Sequence, residues 1–266
     1  MKRMSGDSPS RSLDADVPNI ARVYDFFLGG KNNYAADREL AARIAELSPD
    51  WVQACRDNRQ FVGRAVTWAA GQGIRQYLDL GAGLPAHPAV HEAAGEIIPG
   101  PRVCYVDNDP VVAAHARALL TEPAGTGVAE LNLADPAGVL GHPEVTSIID
   151  RSEPVCLILA MVLHFYDPAA ARELVDGYVS RLAPGSAVAI SCGRNDDPAM
   201  WQRMRESYTA ATTYNHTRDE LRSFFGPLEL VPPGLALASA WRGGMTEVPE
   251  RLPGPAYVLA GVAVKP

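Results

Sequence analysis

The chain changes its hydrophobic rhythm near residue 75. Before that point apolar residues recur at helical spacing. Ile20, Val23, Tyr24 and Phe27 follow Pro18 and stop at Gly29-Gly30, which predicts a first helix. Lys31 to Tyr34 reads as a turn, Ala35 to about Leu47 as a second helix, and Ser48-Pro49-Asp50 as the start of a third running to about Ala70. After it, short apolar runs alternate with helical patterns. The predicted strands are Gln76 onward, Arg102–Asp107, Val128–Leu133, Val155–Met161, Ala187–Cys192, Leu228–Val231 and Tyr257–Val264. Helices are expected at Pro110–Leu120, Pro168–Leu182, about Pro198–Ala211 and about Arg218–Phe225. Nearly continuous apolar strands separated by helices predict a doubly wound α/β fold, a mostly parallel sheet covered on both faces. The expected division is a polar, disordered lead-in over 1–16, a helical cap over 17–71 and a ligand-binding domain over 72–266. The stretch 232–255 reads as a long loop with a short hairpin.

Composition narrows the function classes. The 266 residues carry a net charge of −7, with no Lys/Arg block, so a nucleic-acid partner is not expected. No run reaches the roughly 20 apolar residues of a membrane span, and residues 1–16 lack the apolar segment of a signal peptide. Cys55, Cys104, Cys156 and Cys192 lie far apart without a CxxC pair, as expected for reduced thiols in a cytoplasmic protein. His87 and His91 sit four apart on an expected helix, a zinc-compatible spacing, but no third ligand lies nearby in sequence and no metal is expected.

Candidate chemistry gathers at the strand ends, where doubly wound sheets bind ligands. Gln76-Tyr-Leu-Asp-Leu-Gly-Ala-Gly-Leu84 runs a strand into a glycine turn, placing Asp79 beside Gly81, Ala82 and Gly83. The segment Gly81 to Ala86 also satisfies the G-x-G-x-x-A dinucleotide pattern. A carboxylate at Asp79 repels a pyrophosphate and attracts an amine-bearing ligand, which favours S-adenosylmethionine over a nicotinamide dinucleotide. Asp107, followed by Asn108, is placed for the ribose hydroxyls, although it could instead cap the next helix, a task for which Asp109 stands nearer. Asn132 and Leu133 are candidates for the adenine edge, and Ala160 and Met161 end the fourth strand. His164, just beyond, is the candidate general base.

These residues resemble class I S-adenosylmethionine-dependent methyltransferases. The opening motif Asp79-Leu-Gly-Ala-Gly83, the acid after the second strand, and Leu163-His-Phe-Tyr-Asp167 leading into Leu182-Ala-Pro-Gly185 carry that likeness. The blocks Pro18–Leu40 and Tyr105–Leu120, Asn58-Arg-Gln-Phe61 and Trp241-Arg242 resemble more narrowly the S-adenosyl methyltransferase family first catalogued as a domain of unknown function, DUF574. The resemblance implies a Rossmann-like, seven-stranded sheet whose last strand is antiparallel, with the helical N-terminus over the cofactor. It puts Tyr24, Gly30 and Lys31 at that lid. Lys31 or Arg59 could meet the cofactor's carboxylate, and Trp241, Tyr208, Tyr214 and Phe165 could line an acceptor pocket. A small-molecule acceptor, O- or N-directed, is expected, with a non-catalytic binding protein as the alternative. Two positions depart from the family pattern. Ala86-His87-Pro88 stands where it has Thr and then Gly-Asn, and Asn132 stands where it has Asp.

Overall fold

The computed structural model describes residues 15–120, 124–208, 210–243 and 254–266. Most of the expected lead-in, 1–14, and the middle of the expected loop, 244–253, lie outside them. Three helices come first: α1 (Ile20–Phe27), α2 (Ala35–Leu47) and α3 (Asp50–Gly71). The alternating region follows, with β1 (Gln76–Leu80), α4 (Val90–Gly95), β2 (Arg102–Asp107), α5 (Pro110–Leu120) and β3 (Thr126–Glu130). Next come α6 (Pro136–Gly141), α7 (Pro143–Thr146), β4 (Val155–Ala160), a 3-10 turn at Leu163–Phe165, α8 (Pro168–Val179) and β5 (Ala187–Asn195). The chain ends with α9 (Pro198–Ser207), α10 (Arg218–Ser223), β6 (Glu229–Leu230), β7 (Ala236–Leu237) and β8 (Ala256–Val264).

The sheet order is β3-β2-β1-β4-β5-β8-β6, with β7 also pairing on β8. Strands β1 to β5 are mutually parallel and β8 runs antiparallel to β5. The order reverses between β1 and β4, so the crevice beyond their carboxyl ends is the topological switch point. One more strand is present than the expected seven, because Ala236–Leu237 pairs with β8 at Leu259–Ala260 instead of forming a hairpin of its own. The third strand starts earlier than its apolar pattern suggests. Its register, Val103↔Thr126 to Asp107↔Glu130, ends the pairing at Glu130 and leaves Asn132 and Leu133 in the following loop.

Alternate strand residues feed two cores. Leu78, Leu80, Cys104, Val106, Leu157 and Leu159 pack with α6, α7, α8 and α10 on one face. Tyr77, Val103, Tyr105, Cys156 and Ile158 pack with α3, α4 and α5 on the other. Helix α3 therefore belongs to the sheet's own layer, through Phe61, Val62, Ala65, Val66 and Ala69. Only α1 and α2 form a satellite, in which Val23, Phe27, Leu40, Ala41 and Ile44 bury themselves against Cys55 and Met204.

A buried ion pair fixes that satellite. Arg22 and Asp37, 2% and 0% exposed, approach to 2.7 Å through Nε and Oδ2. The Asp37 carboxylate also accepts the backbone N–H groups of Asn19 and Tyr34, each at 2.8 Å.

Candidate functional site

Four strand ends and the α1–α3 region meet at the switch point. Asp79, the fourth residue of β1, is 6% exposed, and no hydrogen bond reaches its carboxylate among the described residues. Burial raises its pKa to about 6; the Arg59 guanidinium opposes the shift and Asp107 adds to it. A buried carboxylate without a donor is costly, and an incoming ammonium group would relieve that cost.

The glycine turn is closed by the neighbouring strand. Gly81 and Ala82 donate their N–H groups to Val106 O at 2.8 and 3.1 Å. Gly83 donates to Asp107 Oδ2 at 2.9 Å. Gly81 takes φ +70° beneath Val162, whose methyl would lie 2.6 Å from an added Cβ, so only glycine fits there. At Gly83, φ is +66° and an added Cβ would meet nothing within 4 Å, which leaves the backbone open to a ligand. With its N–H groups spent on β2, this turn offers no cradle to a phosphate. Helix α4 begins only at Val90 and is six residues long, so no helix N-terminus follows the turn directly. Both features of a pyrophosphate site are missing. The dinucleotide pattern is a coincidence of spacing.

Asp107 closes β2. Its Oδ1 accepts the N–H of Asp109 at 3.0 Å, and burial raises its pKa despite backbone N–H donors that include Asn108. Asp109, not Asp107, caps α5, accepting from Val111 N at 2.7 Å. Asn19, the N-cap of α1, donates its amide to Asp109 and so draws the helical satellite over the β2 end. Asn132 is exposed, and its Oδ1 accepts Ala134 N at 2.9 Å, an Asx turn. Leu133 is half-buried and its carbonyl accepts the Tyr178 hydroxyl at 2.8 Å.

At the β4 end, Met161 adopts φ +57°. Its N–H donates to Ser191 O and Oγ at 3.0 and 3.1 Å. Ser191 Oγ in turn donates to Asn58 Oδ1 at 2.5 Å. Asn58 Nδ2 donates to the Tyr24 hydroxyl at 2.8 Å, and that hydroxyl donates to Cys55 O at 3.1 Å. This chain of bonds ties α1 and α3 to the backbone beside Ala160 and Met161. Asn19 and Asn58 fall in blocks that carry the family resemblance and Ser191 in none, but the bonds they make exist only once the helices lie on the sheet.

His164 departs from the expectation of a general base. Its Nδ1 is enclosed without a partner, and burial, helped by nearby His216, lowers its pKa to about 3. A base works best when its pKa lies near the operating pH, and this imidazole stays neutral well below it.

Tyr24 and Gly30 line a groove of about 940 Å³ between α1, α3 and the Leu84–Pro88 loop. A Cβ on Gly30 would collide with the Asp25 carboxylate. Lys31 is exposed and lies outside the groove's lining. Arg59, on α3, donates Nη2 to the carbonyls of Ala86 and Pro88 and so braces the loop after the glycine turn. Ala86 and Pro88, two of the residues that depart from the family pattern, thus serve through their backbone oxygens. Trp241 is a core residue, fully buried with its ring edge-on to Phe61 at 5.3 Å. Tyr208 packs on the α1–α2 satellite, and Tyr214 stacks on His216. His87 precedes α4 and pairs with Glu92, whereas His91 pairs with Tyr105. No metal-binding group of His, Cys, Asp or Glu occurs among the described residues.

The model of the family described as S-adenosyl methyltransferase matches residues 6–266. A putative methyltransferase of Thermobifida fusca is 37% identical, with a TM-score of 0.87 over 95% of this chain and 97% of that one. A DUF574 family protein of Streptomyces avermitilis is 33% identical, with a TM-score of 0.89 over 96% and 100%. The magnesium protoporphyrin IX methyltransferase of Synechocystis, crystallised with S-adenosylhomocysteine, shares the fold at 12% identity, with a TM-score of 0.55 over 92% and 93%. No curated protein matches the chain.

Proposed function

The chain belongs to the S-adenosyl methyltransferase family, and from that premise we propose that it transfers a methyl group from S-adenosylmethionine to the oxygen or nitrogen of a small molecule. The observation that carries this reading is the buried Asp79 carboxylate, without a hydrogen-bond donor, beside an open glycine turn. Its chemistry fits the cofactor. Asp79 would take the ammonium group, Asp107 the ribose hydroxyls, and Asn132 with the Leu133 N–H the adenine edge. Arg59, which already acts electrostatically on Asp79, would face the cofactor's carboxylate. When bound, S-adenosylmethionine supplies an electrophilic methyl on a sulfonium.

The chain's own contribution is then orientation and exclusion of water, which can supply several kcal/mol of the barrier. The network from Tyr24 through Asn58 to Met161 supports this by tying the satellite to the β4 end. With its pKa held low by burial, the His164 imidazole is a weak proton acceptor, and deprotonation falls to the acceptor or to solvent. An acceptor that ionises readily near neutral pH, such as a phenol or an amine with a lowered pKa, suits such a site. The family match lends no support to the non-catalytic alternative. The four cysteines, all free and buried, fit the reducing cytoplasm. No helix among the described residues is long and apolar enough to cross a membrane.

The test is transfer of labelled methyl from S-adenosylmethionine into small-molecule extracts. Label in an anionic or neutral metabolite fraction is expected; label confined to protein or RNA would overturn the proposed acceptor class.

A pH dependence follows. An ammonium group binds ionised Asp79, so binding and proton loss are linked. With the free carboxyl titrating at about 6, it is almost fully ionised at pH 7.5 and about one-tenth ionised at pH 5. Affinity for S-adenosylhomocysteine should therefore fall about tenfold between those values. Asp79→Asn should bind more weakly at pH 7.5 and lose most of that slope. Calorimetry across the range checks it; equal slopes in both proteins would remove Asp79 from the site.

A further inference from the structure

We propose that the groove between α3 and the Leu84–Pro88 loop is a second binding site, for a small organic anion carrying a phosphate or carboxylate beside an unsaturated ring. This goes beyond the methyl-donor reading: the groove shares Tyr24, Gly30 and Arg59 with the lid of that site, but none of Asp79, Gly81, Gly83 and Asp107 lines it, so the two ligands are tested separately.

Charge is the first argument. Arg56, Arg59, Arg64 and Arg242 all line the groove, in a chain whose net charge is −7. None of the four makes a salt bridge among the described residues, where eight such contacts are formed elsewhere. Two acids share the wall. The Asp25 carboxylate is occupied, accepting Asn32 N and Asn33 Nδ2 at 2.9 and 2.8 Å. Glu96 is exposed on the α4 side. Three of the guanidiniums are held in place by carbonyls and rings. Arg64 Nε donates to Trp241 O at 2.7 Å, and Arg242 stacks 5.8 Å from the Trp68 ring. Arg59 keeps a buried Nε–H with no acceptor, a costly state unless something meets it.

The second argument is a missing side chain. Gly63 sits in the middle of the 22-residue α3, where glycine is destabilising relative to alanine. It lines the groove, its φ is not in the left-handed region, and an added Cβ would meet nothing within 4 Å. Neither backbone conformation nor packing accounts for it. Open floor for an occupant does. Trp68 also lines the groove with Arg242 over its ring, and this pairing of an aromatic with a cation selects a ring next to the anionic group.

The test titrates the full chain calorimetrically with phenyl phosphate, benzoate and benzylamine, with S-adenosylhomocysteine in parallel. Phenyl phosphate or benzoate should bind once per chain, more weakly as salt rises, and benzylamine should not bind. Arg56→Gln breaks no hydrogen bond or ion pair among the described residues, and should weaken the anion about tenfold, the worth of one charge-assisted contact. Gly63→Phe should abolish anion binding, and Gly63→Ala should weaken it while raising the melting temperature. If Gly63→Phe does not fold, Arg56→Gln decides alone. Absence of binding by both anions, equal binding of benzylamine, or unchanged affinity in Arg56→Gln would overturn the proposal. Retained S-adenosylhomocysteine binding without anion binding sinks only the groove site; the reverse result sinks only the methyl-donor reading.

Discussion

Replacing Asp107 by alanine should reduce the affinity for S-adenosylhomocysteine by about 10²- to 10³-fold, the loss of two charge-assisted hydrogen bonds at about 1.5–3 kcal/mol each, discounted for water that takes their place. The carboxylate sits at the end of β2 and is half-buried. It also holds Gly83 N and Asp109 N, so part of the loss would come from a looser glycine turn. Asp107→Asn separates the two contributions, since an amide oxygen can still accept from one N–H while carrying no charge. It should fall between wild type and alanine. The fold should survive both changes, because the carboxylate is raised in pKa by burial and adds little to stability at neutral pH. Circular dichroism and calorimetry on the three proteins check this. Equal affinities would take Asp107 out of the site.

Replacing Asp37 by alanine should have the largest effect on stability, about 3–5 kcal/mol, because it strips the carboxylate from a buried guanidinium. The loss includes acceptors for Asn19 N and Tyr34 N, which start α1 and α2. The damage should stay local. Helix α3 keeps its contacts with the sheet, whereas α1 and α2 depend on a small core around Val23, Phe27, Leu40 and Ile44. Hydrogen exchange should therefore accelerate over residues 18–47 and hardly change over 76–107. Ligand affinity should fall as well, since Asn19 and Tyr24 connect this satellite to the site. Unchanged exchange over 18–47 would mean that the ion pair is not what anchors it.

The alternation of apolar strands and helices was legible because each parallel strand is buried on both faces and leaves a continuous apolar run. The β1 turn and the β2 acid were legible for a related reason: a strand that ends in a carboxylate before glycine or helix is an interruption that packing does not explain. Boundaries were harder to read. The apolar residues Val128 to Leu133 suggested a strand two residues too late, because pairing with β2, not hydrophobicity, sets its ends. Helices α6 and α7 are six and four residues long, too short to show a period. Strand β7 has two residues and exists only through β8.

The site divides in the same way. Asp79, Gly81, Gly83 and Asp107 announce themselves locally. The polar chain Tyr24–Asn58–Ser191–Met161 joins positions up to 133 residues apart, and no local pattern records it. His164 shows the converse. Its place after β4 suggested a base, but its chemistry is decided by burial and by His216, which sequence spacing does not reveal. The arginine groove was hidden as well, since Arg56, Arg59 and Arg64 look like an ordinary solvated face of α3 until the Leu84–Pro88 loop folds over them.

The most direct measurement is a calorimetric titration of the full chain with S-adenosylhomocysteine at pH 7.5. One site per chain is expected, with an affinity that weakens toward pH 5 and collapses in Asp107→Ala. No heat of binding at millimolar ligand would contradict the assignment of the strand-end site to the methyl donor.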